Sequence, residues 1–273
     1  MKTLTLTRDA RGVAHVQMNR PQVYNAFDET MIADLDGAFE ELAGRPDVRV
    51  VVLSGAGKAF SAGADLQWMK RASEATREWN LEDARRFAGM LRRIHECPKP
   101  TVARVHGLAL GGGVGLACAC DLAVAAEGTQ FAVSEARFGI LPAVIGPYLV
   151  NAVGKRQAQR LALTAARIGA EEAQRLGLVQ QVVPAAGLDE AIDAIVDELL
   201  ASGPQAQVEI KRLFAQLEVG PVTEAVRELT AQTISRVRGT DEAREGFAAF
   251  LAKRPAAWIP PAGHGPRGTA DGG

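Results

Sequence analysis

From its start to about Pro184 the chain alternates short apolar runs with longer stretches whose apolar residues recur every three to four positions. This alternation constrains the fold most, because strands separated by helices pair mainly in parallel within an α/β architecture. The opening reads as a hairpin: Thr3 to Thr7, a turn at Asp9-Ala10-Arg11-Gly12, and a return strand from Val13 to Met18. Asn19-Arg20-Pro21 breaks the run. Asp28 suits the N-cap of a helix with Met31, Leu35, Ala38, Phe39 and Leu42 on one face and Gly44 just past its end. Val48 to Leu53 is nearly unbroken apolar sequence, the pattern of a strand buried on both faces. A helix over Asn80–Glu96 stops before Pro98 and Pro100. A strand over Thr101–Val105, a glycine turn over Gly107–Gly113, a short helix over Val114–Cys120 and a strand over Leu122–Ala126 follow.

Beyond Pro184 the periodicity is helical throughout, over 188–200, 205–217, 222–236 and 241–252. The chain of 273 residues is therefore expected to divide into an α/β core over 1–195, a helical region over 196–258, and an extended Pro/Gly-rich tail over 259–273. Lys plus Arg total 31 against 32 acidic residues, a net charge of −1, so the basic surplus of a dedicated nucleic-acid binder is missing. Cys97, Cys118 and Cys120 form no C-x-x-C pair, which argues against a disulfide framework or structural zinc and suits a reducing cytoplasm. His15, His95 and His264 have no metal-ligand spacing, and His106 reads as a strand-end histidine. No apolar stretch approaches the roughly 18 residues of a membrane span, and the N-terminus has no signal-peptide core.

Two glycine clusters invite nucleotide readings, and both fail. Gly57-Lys58 would need a glycine at Val52 and a hydroxyl at Ala59 to make a phosphate loop. Gly111-Gly112-Gly113-Val114-Gly115 is followed by Leu116, so the dinucleotide fingerprint is broken. A glycine turn that opens a helix still exposes backbone N–H groups that favour negative charge. One such donor can stabilise an oxyanion, and a second from another loop completes the hole. The segment Ala59-Phe60-Ser61-Ala62-Gly63-Ala64-Asp65-Leu66 is the candidate second loop, with Asp65 placed to cap a helix behind it. Composition alone leaves open that both segments are simply tight turns.

Asn19-Arg20-Pro21 with Asn25-Ala26, the Ala59–Leu66 segment, Gly107-Leu108-Ala109-Leu110-Gly111-Gly112-Gly113 and Cys120-Asp121 occur in this order. Leu176-Gly177-Leu178-Val179 and Arg244-Glu245-Gly246-Phe247 follow. From about residue 3 to Trp258 the chain resembles the crotonase superfamily of enoyl-CoA hydratases and isomerases. The resemblance implies an α/β spiral of ββα units with a C-terminal helical trimerisation region, assembled as a homotrimer or a hexameric dimer of trimers. It implies an acyl-CoA thioester whose oxygen sits between the backbone N–H groups of Ala64 and Gly112, and Glu135 as the carboxylate acting at the substrate α-carbon. Hydratases of the family carry a second glutamate three residues after the oxyanion glycine, where this chain has Gly115. That departure is expected to leave space for water or a bulkier acyl group.

Further residues follow from the resemblance. Ala26, Ala62, Asp65 and Leu66 are expected along the coenzyme A path, and Phe250 and Lys253 at the adenine and 3′-phosphate of a neighbouring subunit's ligand. Lys253 reads equally as a solvated helix position. Trp68 and Met69 suit either a channel wall or the core of a short amphipathic helix. Arg137 suits an ordinary partner for Glu135 or a contact to a distal substrate carboxylate. Ile140 to Tyr148 is similar to bacterial methylglutaconyl-CoA hydratases. The implied activity is hydration of a short or branched 2-enoyl-CoA. Gly115 keeps open a Δ3,Δ2-enoyl-CoA isomerase working with one glutamate, and a catalytically inactive protein that binds CoA esters is the reading from another class. No metal or cofactor beyond the substrate's own coenzyme A is expected, nor a nucleic-acid or membrane partner. Replacing Gly112 by Pro is expected to remove one donor and leave the chain folded.

Overall fold

Strands β1 (Leu4–Arg8) and β2 (Val13–Met18) form the expected antiparallel hairpin in the computed structural model, which describes residues 1–260. Helix α1 (Glu29–Gly44) starts where Asp28 accepts from the Thr30 and Met31 amides, and it turns Met31, Leu35, Ala38, Phe39 and Leu42 inward. Strand β3 (Val50–Gly55) begins two residues later than the apolar run, because the Val48 amide is spent in a turn on Arg45. Helices α2 (Leu66–Glu74) and α3 (Arg77–His95) lead to β4 (Thr101–Val105), β5 (Leu108–Leu110), α4 (Gly112–Ala119), β6 (Leu122–Ala126) and β7 (Gln130–Ala132). Next come α5 (Gly146–Thr164), β8 (Ile168–Gly169), α6 (Ala170–Leu176) and β9 (Gln181–Val183). Four helices close the chain: α7 (Leu188–Ala201), α8 (Pro204–Phe214), α9 (Glu224–Arg238) and α10 (Asp241–Leu251).

The larger sheet runs β1-β2-β3-β4-β6-β9 and is parallel from β2 onward, while β5-β7-β8 makes a second, smaller sheet. β4 and β5, then β6 and β7, each step from the large sheet to the small one, which produces a ββ repeat. The stretch Gly107–Gly113 is thus more than a turn: Leu108–Leu110 is a strand paired with β7. Successive residues of β3 face opposite layers, as a strand buried on both sides requires. Val51 and Leu53 join the core beneath α1, α3 and α4, whereas Val50 and Val52 pack with Leu188, Ile192, Val196 and Leu200 of α7.

Helix α7 is therefore part of the α/β core, and a boundary at 195/196 would cut one continuous helix. The break falls at Ser202-Gly203. Past it, Glu242 caps α8 by accepting from the Gln205 and Ala206 amides, and Lys211 pairs with Asp121 at 2.6 Å. Among the described residues, none of helix α9 is buried. Ile210, Phe214, Phe247, Phe250 and Leu251 stand exposed on α8 and α10. The tail expected over 259–273 lies, from residue 261 on, outside the described residues, as does His264. Among the described residues, no helix is long and apolar enough to cross a membrane.

Candidate active site

Two loops meet because backbone atoms, not side chains, sit between them. The Ser61 amide donates to Leu108 O at 3.0 Å and the Leu110 amide returns to Ser61 O at 3.0 Å, so residues 61–64 run beside β5. Gly63, with φ of +85°, lies so close to the turn that a Cβ there would be 2.5 Å from Leu110 O and 3.3 Å from Gly112 N. On the other side, the Phe27 amide donates to Gly63 O at 2.8 Å and the Asp65 amide donates to Phe27 O at 3.0 Å. The Ala64 amide is left between them without an acceptor among the described residues, as is that of Gly112 at the first turn of α4. Both residues line a mostly apolar cavity of ≈ 300 Å³.

Glu135 opens a short 3-10 turn, Glu135–Phe138, that projects from the end of β7 into the same cavity. Gly111 stands opposite with φ of +49°, and a Cβ there would lie 3.2 Å from Glu135 Oε1. Glu135 Oε2 is buried and has no hydrogen-bond partner among the described residues. Burial pushes the carboxyl above its ordinary value, opposed only in part by its own backbone amide. A surface carboxylate paired with Arg137 is thereby ruled out: Arg137 lines the cavity but makes no ion pair among the described residues.

The expected site residues divide into three groups. Ala62, Ala64, Leu66, Met69, Gly112 and Glu135 line one cavity. Ala26, Asp65 and Trp68 lie behind it. The Ala26 carbonyl and the Asp65 carboxylate are both held by Arg20, at 2.6 and 3.0 Å. Burial raises the Asp65 carboxyl, but the Gln67 and Trp68 amides it caps, together with Arg20, outweigh this and leave it below its ordinary value. Trp68 is 8% exposed, packs edge-on against Phe87 and donates to Asp83 at 3.0 Å, so it is core and not a channel wall. Phe250 and Lys253 form the third group, exposed at the end of α10 and outside the cavity lining.

Two expectations fail on volume. Gly115 leaves no space: a Cβ there would collide with Ile145 Cγ2 and lie 2.9 Å from Ile145 Cβ and 3.7 Å from Leu91 Cδ1. Ile145, 1% exposed at the entry to α5, fills the volume a glutamate would need. Gly112 cannot become Pro without damage, because any Cβ there meets the ring of Phe27. Sequence reasoning also missed Phe138, Ala165 and Arg167 in the cavity lining. The apolar Phe138 directly after Glu135 was a usable signal; nothing local marks Arg167, which arrives on the α5–β8 connection. A larger polar cleft beside His106, Arg104 and Asp189 is separate from this site. There His106 meets Gly57 O at 2.9 Å and Arg104 pairs with Asp189 at 2.5 Å.

The sequence profile of the enoyl-CoA hydratase/isomerase family matches residues 8–260. The chain belongs to that family. Carnitinyl-CoA dehydratase of Escherichia coli K12 is 33% identical over 274 residues, covering 94% of this chain and 98% of the relative. The crystal structure of an enoyl-CoA hydratase from Shewanella pealeana superposes with a TM-score of 0.90 at 37% identity, over 94% of this chain and 96% of the other. That of an enoyl-CoA hydratase from Mycobacterium smegmatis gives 0.87 at 37% identity, over 94% and 98%. The fold is the crotonase fold, and the family membership makes an acyl-CoA the substrate type.

Proposed function

We propose that the chain hydrates a short or branched 2-enoyl-CoA with Glu135 as its only acid/base group. The observation that carries this is the buried, unpartnered Glu135 Oε2 in the same cavity that the free Ala64 and Gly112 amides line, among the described residues. The thioester oxygen accepts from Ala64 and Gly112. Glu135 takes a proton from water as the oxygen adds to the β-carbon, the electron pair of the double bond passes to the thioester as an enolate, and Glu135 returns the proton to the α-carbon. Water is added with no proton left over, so one carboxylate with a raised proton affinity suffices. Each amide donor in such a hole is worth on the order of 10²–10³ in rate.

The Gly115–Ile145 contact favours a second reading, a Δ3,Δ2-isomerase, in which the same carboxylate moves a proton between two carbons. An inactive CoA-ester binder fits less well, since a buried carboxylate without a partner is costly to keep for binding alone. No cofactor, metal or nucleic acid enters this reading, and three free thiols suit a reducing cytoplasm. A homotrimer or hexamer, with Phe250 and Lys253 of one copy meeting the ligand of another, completes it. Supplying a 2-enoyl-CoA and a 3-enoyl-CoA side by side separates the readings: consumption of the 2-enoyl ester with uptake of water is expected. Turnover of the 3-enoyl ester alone would establish the isomerase, and turnover of neither would leave the binder.

A further inference from the structure

We propose that Phe27 is the positioning residue that sets the spacing between the Ala64 and Gly112 amides, its backbone holding one and its ring the other. The inference rests on the thioester site proposed above. The backbone half is a single parallel bridge. Phe27 N–H and C=O bond to the residues on either side of Ala64, at 2.8 and 3.0 Å, which turns the Ala64 N–H to the opposite side, toward the cavity. The ring half is a steric contact. The tip of the Phe27 ring occupies the place of a Gly112 side chain, with Cε1 and Cε2 only 2.9 and 3.1 Å from where that Cβ would be. The first turn of α4 therefore rests on this ring.

The ring is itself immobilised. It is fully buried, with its centroid 5.2 Å from that of Phe87 and 6.0 Å from that of Trp68. Trp68 is tied to Asp83 by its indole N–H at 3.0 Å. The chain on both sides of Phe27 is held by one guanidinium, since Arg20 bonds Ala26 O at 2.6 Å and Asp28 at 3.2 Å and reaches Asp65 at 3.0 Å. Aromatic pairs at such separations have a preferred geometry, so the ring locates what lies on it. A displacement of about 1 Å in such a donor can cost on the order of 10²-fold in rate. Shrinking the ring leaves the main-chain bridge to Ala64 in place and removes the support beneath Gly112.

The test is the infrared carbonyl frequency of a saturated acyl-CoA, labelled with ¹³C at the thioester carbonyl, bound to the wild type, to Phe27→Leu and to the milder Phe27→Met. Phe39→Leu, the same substitution at a fully buried α1 position, is the control for lost packing alone. The wild type and Phe39→Leu are expected to lower the bound frequency relative to free ester equally. Phe27→Leu should lose at least half of that lowering and Phe27→Met less. Full retention in both Phe27 variants, or an equal loss in Phe39→Leu, would overturn the inference. No lowering in the wild type would overturn the thioester site and this inference with it, an outcome distinct from the other two.

Discussion

Glu135 is charged chemistry placed where charge is disfavoured. Its carboxyl meets apolar walls and the bare face of Gly111, and one oxygen has no partner, so the folded chain holds the proton more tightly than the unfolded chain does. A group of this kind contributes its full stability below the ordinary value of 4.5 and loses it as pH rises through the raised value. Gln at 135 does not titrate. The stability of Glu135→Gln relative to the wild type should therefore grow between about pH 4 and pH 8, measured as denaturant midpoints at each pH. A difference that stays flat over this range would mean that the carboxyl is solvated or paired in the folded protein.

At the scale of elements, α4 and the start of α5 fit each other only because position 115 has no side chain. Gly115→Ala gains up to about 1 kcal/mol in helix propensity but drives a methyl into Ile145, an overpacking cost of roughly 1–3 kcal/mol. Net destabilisation is expected in the wild-type background. With Ile145→Gly already present both Ile145 Cγ2 and Cβ are gone, the nearest atom is Leu91 Cδ1 at 3.7 Å, and the same Gly115→Ala change should stabilise. Opposite signs in urea melts of the two backgrounds are the expected outcome; equal effects would separate the two positions. This contact shows what was hidden in the sequence. The hairpin, α1, β4 and β6 were legible because their periodicity and caps are local, and the two glycine loops because motif order marked them. Ile145 filling the space over Gly115, Phe27 beneath Gly112 and Arg167 at the cavity are meetings of residues 30 or more apart, which only packing reveals. Helix α5 escaped reading because Gly154, with φ of +74°, interrupts its periodicity. Helix α7 itself was legible over 188–200, but the boundary at 195/196 cuts it because its apolar face serves the sheet, not the helices that follow it.

For the whole molecule, the helices after Ser202 expose Phe214, Phe247, Phe250 and Leu251 while no residue of α9 is fully buried among the described residues, a surface that a second copy would cover. Sedimentation equilibrium at micromolar concentration should give three or six times the mass of the chain, and a monomer would contradict assembly through these helices. Whatever the assembly, the proposed chemistry uses one carboxylate and two amide donors in each copy. The most direct measurement is turnover of a 2-enoyl-CoA by the wild type and by Glu135→Gln at equal concentration, with the affinity for a saturated acyl-CoA measured in parallel. Glu135→Gln should lower turnover by roughly 10²–10⁴ and leave the affinity within a few-fold, because it removes the base but keeps the amides and the cavity. Retention of more than about a tenth of wild-type turnover would place the acid/base group elsewhere.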